Sequence, residues 1–169
     1  MKKFILYCLV ITVLPVFSIE KIEPDPKALK LVSDFMNALT IADEAERLQA
    51  ILPLVHDSLK TKDKKDLFSS VKQFSYKRAV DMIKLYKAPA EVSEVHKGAV
   101  STIGYKELAE KGRRDKYFVK KKEGVNGMPA PIHVFIPENG LGLESKVKVE
   151  ENGYVVLTLS ILTGVVFPK

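Results

Sequence analysis

The residues of this chain with the widest chemical range are its three histidines. His96 and His133 each lie in a segment of β-branched and alternating residues, which predicts two β-strands. Imidazoles on facing strands can bind an anion, a proton or a metal ion, so both are candidate ligand-binding residues. No carboxylate or cysteine spacing typical of a metal centre accompanies them, and no metal or cofactor is predicted. The alternative is that both are ordinary polar positions on a half-exposed sheet.

A ligand pocket is a second hypothesis for the same region. Alternation along a strand puts His133 and Phe135 on one face, opposite three aliphatic side chains. Tyr86 and Tyr154 join them as candidate ligand-binding residues, because a tyrosine offers an apolar ring and a hydrogen-bonding hydroxyl. The alternative for the tyrosines is the edge of the core or the surface of the sheet.

A stiff segment precedes the strand that carries His133. Asn126 and Gly127 favour a turn, and Pro129 and Pro131 bracket a single alanine. This pattern predicts a shaped loop at the rim of the sheet, with a plain connector as the alternative.

The consecutive residues His56, Asp57 and Ser58 contain the residue types of a catalytic triad. A triad is assembled in space, whereas consecutive side chains point in different directions. We therefore interpret the run as the solvated end of a helix. No nucleophile-elbow, zinc-protease, Walker or dinucleotide-binding motif occurs, and no catalytic residue is predicted.

Basic residues gather in two clusters within a chain of net charge +6. The first consists of Lys60, Lys62, Lys64 and Lys65, and the second of Lys111, Arg113, Arg114, Lys116 and Lys120–Lys122. The second cluster can attract an anionic lipid or polymer. A role in solubility is the favoured interpretation of both, because lysines at strand edges oppose aggregation.

The N-terminal segment has the pattern of a secretory signal. Lys2 and Lys3 precede an apolar run of residues 4–17, and compact residues before Ile19 predict cleavage after Ser18. The run is shorter than the ~20 residues that span a bilayer. We expect an export signal over residues 1–18, a single domain over residues 19–169, and a location in the periplasm or outside the cell. Membrane contact is expected only through the signal before cleavage, and no nucleic-acid partner is expected.

The two halves of the chain differ in glycine content. All 9 glycines lie at or after Gly98, which favours helices first and strands with turns afterwards. Asp25 and Asp43 are placed to cap two helices, and a third is predicted over 66–87. About five strands follow, over residues 91–103, 116–122, 131–136, 146–150 and 154–162. This order predicts an α+β fold, in which two to three helices pack on a curved, mainly antiparallel sheet.

The apolar stripe of residues 28–39, the segment Leu48–Val55 and the strands around 132–136 and 154–162 follow an order known from one superfamily. In this order of elements the chain resembles the nuclear transport factor 2-like, or cystatin-like cone, superfamily. The resemblance implies helices that cover a sheet and leave a cone-shaped pocket. Members include isomerases and dehydratases as well as noncatalytic binding modules, so the resemblance carries no catalytic residue to this chain.

The sequence as a whole favours a noncatalytic exported module that binds a small molecule or an envelope protein. A small pocket enzyme of the isomerase, dehydratase or hydrolase-like type is one alternative. A structural or surface-interaction protein without a pocket is the other.

Overall fold

The computed structural model describes residues 20–103, 109–127 and 131–137, together with the backbone of 155–156. The predicted export signal, the predicted strand over 146–150 and most of the predicted strand over 154–162 lie outside the described residues. Among the residues that are described, no helix has the length and apolar character needed to cross a membrane.

The first half of the described chain is helical. Its elements are α1 (Pro26–Leu39), α2 (Glu44–Ile51), two 3₁₀ turns (Leu52–Leu54 and Asp57–Leu59), a π-helix (Val71–Tyr76) and α3 (Lys77–Ile83). The Asp25 carboxylate accepts the backbone N–H of Lys27 at 2.8 Å, and Asp43 accepts that of Glu46 at 2.8 Å. Both predicted caps are therefore confirmed, and each satisfies a donor that the first helical turn leaves unpaired.

The second and third helices are shorter than the sequence pattern predicts. α2 ends at Ile51, because Pro53 has no N–H for the helical ladder and the chain tightens into a 3₁₀ turn. The next helical run begins only at Ser69. Before it, residues 61–66 form a polar loop that is closed by a hydrogen bond from the Thr61 N–H to the Asp66 carbonyl at 2.8 Å.

The second half forms one antiparallel sheet, and the predicted α+β class is confirmed. Its strands are β1 (Val92–His96), β2 (Val100–Ile103), β3 (Glu110–Val119), β4 (Ile132–Pro137) and β5 (Val155–Val156). β1 and β2 pair with successive parts of one edge of β3, β4 pairs with its other edge, and β5 pairs with β4. Since β1 and β2 occupy one position, the described sheet is four strands wide, slightly narrower than expected. The central strand also starts at Glu110 rather than near Lys116.

The helices and the sheet enclose one main core. Phe35 of α1, Tyr117 of β3 and Val134 of β4 are each at most 1% exposed within it. The buried residues of β3 are even-numbered at its start and odd-numbered at its end. Glu110 and Gly112 are buried first, and Asp115, Tyr117 and Val119 are buried further along. Residues of opposite parity point to opposite faces of a strand, so the two ends of β3 bury opposite faces.

The break between β1 and β2 is held by a buried carboxylate. Asp115 is 1% exposed and accepts the Gly98 N–H at 3.0 Å. The Arg113 guanidinium donates to both of its oxygens, at 2.9 and 2.8 Å. A Cβ atom at Gly98 would lie 1.5 Å from the carbonyl oxygen of Arg114. Only glycine therefore lets the chain approach β3 this closely.

Substitution of this carboxylate is expected to cost more stability than loss of a surface ion pair. Asp115→Ala removes a buried carboxylate that accepts from the Gly98 N–H and twice from the Arg113 guanidinium, which costs about 3–5 kcal/mol of unfolding free energy. The matched control Asp34→Ala removes an exposed ion pair with Lys30 and should cost less than about 1 kcal/mol. Urea unfolding monitored by circular dichroism measures both, and equal losses would contradict the assignment.

Candidate functional site

The register of the sheet places His96, Lys116 and His133 in one row. His96 of β1 and His133 of β4 both pair with Lys116 of β3. Directly paired residues share a face, and strands lie about 4.8 Å apart, so the two histidine backbones are about 10 Å from each other. The histidines therefore lie two strands apart, with a lysine ammonium between them.

Arg114 and Phe118 extend this row along the same face of β3. We name the set of His96, Arg114, Lys116, Phe118 and His133 the basic sheet face. Arg114 and Lys116 are exposed. Within the described part of the chain neither side chain has an acidic partner. Glu94 pairs with Phe118 and so lies on this face, but its carboxylate forms an ion pair with Lys21. The face therefore keeps the positive charge of Arg114 and Lys116.

The imidazole of His133 is half-buried beside these cations. Burial lowers the pKa of His133 to about 4, and the charges of Arg114 and Lys116 act in the same direction. Near pH 7 the ring is therefore neutral, and one of its nitrogens is a hydrogen-bond acceptor.

His96 is the more enclosed of the two histidines. Its side chain is 14% exposed, and Nε2 lies 3.2 Å from the Glu94 carboxylate. The angle at this contact is not that of a hydrogen bond, so the buried Nε2 has no hydrogen-bond partner among the described residues. The ring rests against Phe118, with the centroids 4.7 Å apart.

Of the other predicted pocket residues, Tyr86 lies away from the basic sheet face, whereas Phe135 shares that face. Tyr86 is 2% exposed in the main core. Its hydroxyl has no hydrogen-bond partner among the described residues, and burial raises its pKa. Phe135 pairs with Arg114 and lies on the same face of β4 as His133, as the alternation predicts. It is nevertheless fully buried next to Gly112, where a Cβ would lie 2.6 Å from the ring. Tyr154 lies outside the described residues.

The predicted loop is described only in part. Asn126 and Gly127 are exposed, Gly127 adopts a positive φ of 88°, and its carbonyl accepts from the Lys121 ammonium. Pro131 is half-buried at the start of β4, and Pro129 lies outside the described residues.

A buried chain of hydrogen bonds links Ser58, His56 and Glu110. His56 is 5% exposed, so the expectation of a solvated helix end is wrong. Its Nδ1 lies 2.8 Å from the Ser58 hydroxyl and accepts the Ser58 N–H at 3.1 Å, while Nε2 lies 3.2 Å from Glu110. Because Nδ1 accepts this N–H, Nε2 carries the proton and donates it to the carboxylate. The other oxygen of Glu110 is buried without a described partner. The sequence held no signal for a contact between residues 54 positions apart.

A further concave feature among the described residues is an open groove of about 450 Å³. Leu29 and Val32 of α1 line it together with Ala90 and Val92. No candidate site residue borders it. Across the described ranges, no three histidine, cysteine or acidic side chains gather in a way that could hold a metal ion.

No family model, curated protein or solved structure matches this chain. The resemblance to the nuclear transport factor 2-like superfamily stays a prediction that rests on the order of elements.

The half-buried His133 should make stability depend on pH. Its pKa lies below the ordinary value of 6.5, so the unfolded chain takes up a proton first as the pH falls. The neutral His133 therefore contributes to the free energy of unfolding above pH 6.5, and this contribution is lost as the pH falls from 6.5 to about 4. We expect about 1 kcal/mol, since solvent screens a half-buried site.

Urea unfolding near pH 7 and near pH 4.5 measures this loss, and NMR of the ring protons gives the pKa directly. His133→Gln should reduce the difference between the two unfolding free energies. An unchanged difference in the variant would contradict the role of His133.

Proposed function

We propose that this protein is a noncatalytic exported module that binds an acidic segment of a protein partner across its basic sheet face. The observation that supports this most is the row of His96, Lys116 and His133, extended by Arg114 along β3. Export is the part of the proposal that rests on the N-terminal sequence pattern alone.

The shape of the surface favours an extended partner over a small molecule. Small-molecule sites are concave, whereas this face is formed by adjacent strands and presents the exposed side chains of Arg114 and Lys116. Residues two apart on a strand are about 6.8 Å from each other. Arg114 and Lys116 have this spacing, and so do alternate carboxylates of an extended acidic chain. Charge-assisted hydrogen bonds between the two sets would fix the register of the partner.

Reversal of the charge on this face should weaken the binding of an acidic peptide. We expect Arg114→Glu/Lys116→Glu to weaken the affinity for a fluorescent oligoglutamate by about tenfold or more, which corresponds to about 1.4 kcal/mol. Fluorescence anisotropy measures the affinity, and amide shifts in NMR locate the contact on β3 and β4. Lys27→Glu, at an exposed position on α1, is a single reversal that controls for nonspecific charge effects.

Three results would count against the proposal. They are equal binding by the double variant, peptide-induced shifts confined to other elements, and no binding by the unaltered protein at low salt.

A hydrolase-like activity is the second candidate, and the Ser58–His56–Glu110 chain favours it. In acyl transfer the Ser58 hydroxyl would attack a carbonyl carbon while its proton moves to Nδ1 of His56. The bond from that carbon to the leaving group would then break, and the leaving group would take the proton from Nδ1. The Glu110 carboxylate would stabilise the imidazolium that forms. The Ser58 N–H competes for the same Nδ1 lone pair, at 3.1 Å against 2.8 Å for the hydroxyl. This competition makes the hydroxyl a weaker nucleophile and places the activity second.

A fluorophosphonate probe tests the second candidate, because it labels only activated serine hydroxyls. If the chain is catalytic, the probe labels the protein, and both Ser58→Ala and His56→Gln remove the label. Ser70→Ala, at an exposed serine, should leave labelling unchanged. Absence of labelling, or label that persists in Ser58→Ala, would exclude this candidate and leave the binding proposal untouched.

A further inference from the structure

The segment of residues 60–78 combines exposed aromatic rings with a high local positive charge. It holds seven lysine and arginine residues against two aspartates. Phe68 is 43% exposed and Phe74 is 66% exposed. Among the described residues, Val100 is the one other large apolar side chain with comparable exposure. We name Phe68, Phe74 and the lysines around them the aromatic–lysine patch.

The two exposed rings belong to one short stretch of backbone. Phe74 lies in the π-helix, and Phe68 lies just before the helical run that begins at Ser69. Six residues of helix advance at most about 9 Å, so the two backbones lie within about 10 Å of each other. π-helical turns are rare and occur frequently at functional sites.

The backbone beneath the patch is held in place by hydrogen bonds. The Phe68 N–H donates to the Leu59 carbonyl at 3.0 Å, and this hydrogen bond closes the lysine-rich loop between these two residues. The Tyr76 hydroxyl accepts from Arg47 of α2 at 2.9 Å and fixes the end of the π-helix. The exposed rings therefore project from an ordered support.

The charges of the patch fall into two groups. Asp57 pairs with Lys60 and Lys64, and Asp66 pairs with Lys72. The side chains of Lys62, Lys65 and Lys77 are exposed and have no acidic partner among the described residues. These three ammonium groups are available to an external anionic surface.

We propose that the aromatic–lysine patch docks the protein onto the surface of an anionic phospholipid bilayer. Exposed phenylalanine rings partition into the boundary between headgroups and acyl chains, and lysines beside them are attracted to anionic headgroups. Lysine stems can lie along the apolar layer while their ammonium groups stay at the phosphates. This contact uses none of the residues of the predicted N-terminal signal or of the basic sheet face.

A lipid surface fits the patch better than a protein partner does. Protein hot spots need a complementary pocket and well-packed surroundings, which exposed rings among exposed lysines do not supply. A bilayer needs only shallow insertion and opposite charge. The patch has both features, and no groove among the described residues accompanies it.

A single tryptophan reports directly on insertion, because the chain contains no tryptophan. Phe74→Trp keeps an aromatic ring in the patch, and Val100→Trp places the same probe at the other exposed apolar position. With vesicles of phosphatidylcholine and phosphatidylglycerol, we expect a blue-shifted emission from position 74 and quenching by brominated lipid. We expect neither from position 100, nor from position 74 with pure phosphatidylcholine vesicles.

Charge and ring variants test the two components separately in the full chain. In the Phe74→Trp background, Lys62→Glu/Lys65→Glu should weaken vesicle binding by about tenfold, whereas Lys27→Glu/Lys122→Glu changes the charge equally and should not. Phe68→Ser/Phe74→Ser should reduce co-sedimentation, with Val100→Ser as the control. Every variant carries the same N-terminal apolar run, so differences between them report on the patch.

The proposal is overturned if the probe at position 100 is quenched as strongly as that at 74. It is equally overturned if neutral vesicles bind as well as anionic ones, or if the reversals at 62 and 65 have no effect. A blue shift at position 74 with oligoglutamate and with no vesicle would identify a protein partner instead. None of these results depends on the basic sheet face, so the two proposals fail independently.

Discussion

A buried carboxylate, Asp115, holds together the part of the sheet on which the candidate site depends. An ionised group at 1% exposure is costly unless its oxygens are paired, and here the Arg113 guanidinium and the Gly98 N–H pair them. The same contact draws the break between β1 and β2 onto β3. Because side chains alternate along a strand, anchoring residue 115 inward directs Arg114 and Lys116 outward. The inner ion pair therefore determines which charges the outer face presents.

The two basic surfaces of the molecule differ in what surrounds their charges. On the basic sheet face, rigid strands set the spacing of the cations, and the neutral His133 adds a polar group beside Lys116. In the aromatic–lysine patch, long lysine side chains surround apolar rings, and the backbone fixes their position only approximately. The first arrangement suits recognition of a defined pattern of carboxylates. The second suits a fluid surface, where no individual partner atom has to be matched.

Local features of the fold were predictable, whereas long-range pairing was not. Asp25 and Asp43 act on their own helix ends, so a few neighbouring residues suffice to predict both caps. The row of His96, Lys116 and His133 depends on the register of three strands, which single-strand alternation leaves undetermined. The contact between His56 and Glu110 likewise joins residues that are distant in sequence, so no local pattern predicts it. The π-helix was not predictable, because its residues have the spacing of an ordinary amphipathic α-helix.

The change of buried face along β3 makes this strand a wall shared by two compartments. At one end Gly112 borders Phe135, which lies outside the main core and meets the edge of His56, with Glu110 beside it. At the other end Tyr117 and Val119 face the helices. A strand is stiff along its length, so a displacement in one compartment moves the lining of the other. Substitutions on opposite sides of the sheet should therefore have coupled effects even where their side chains never touch.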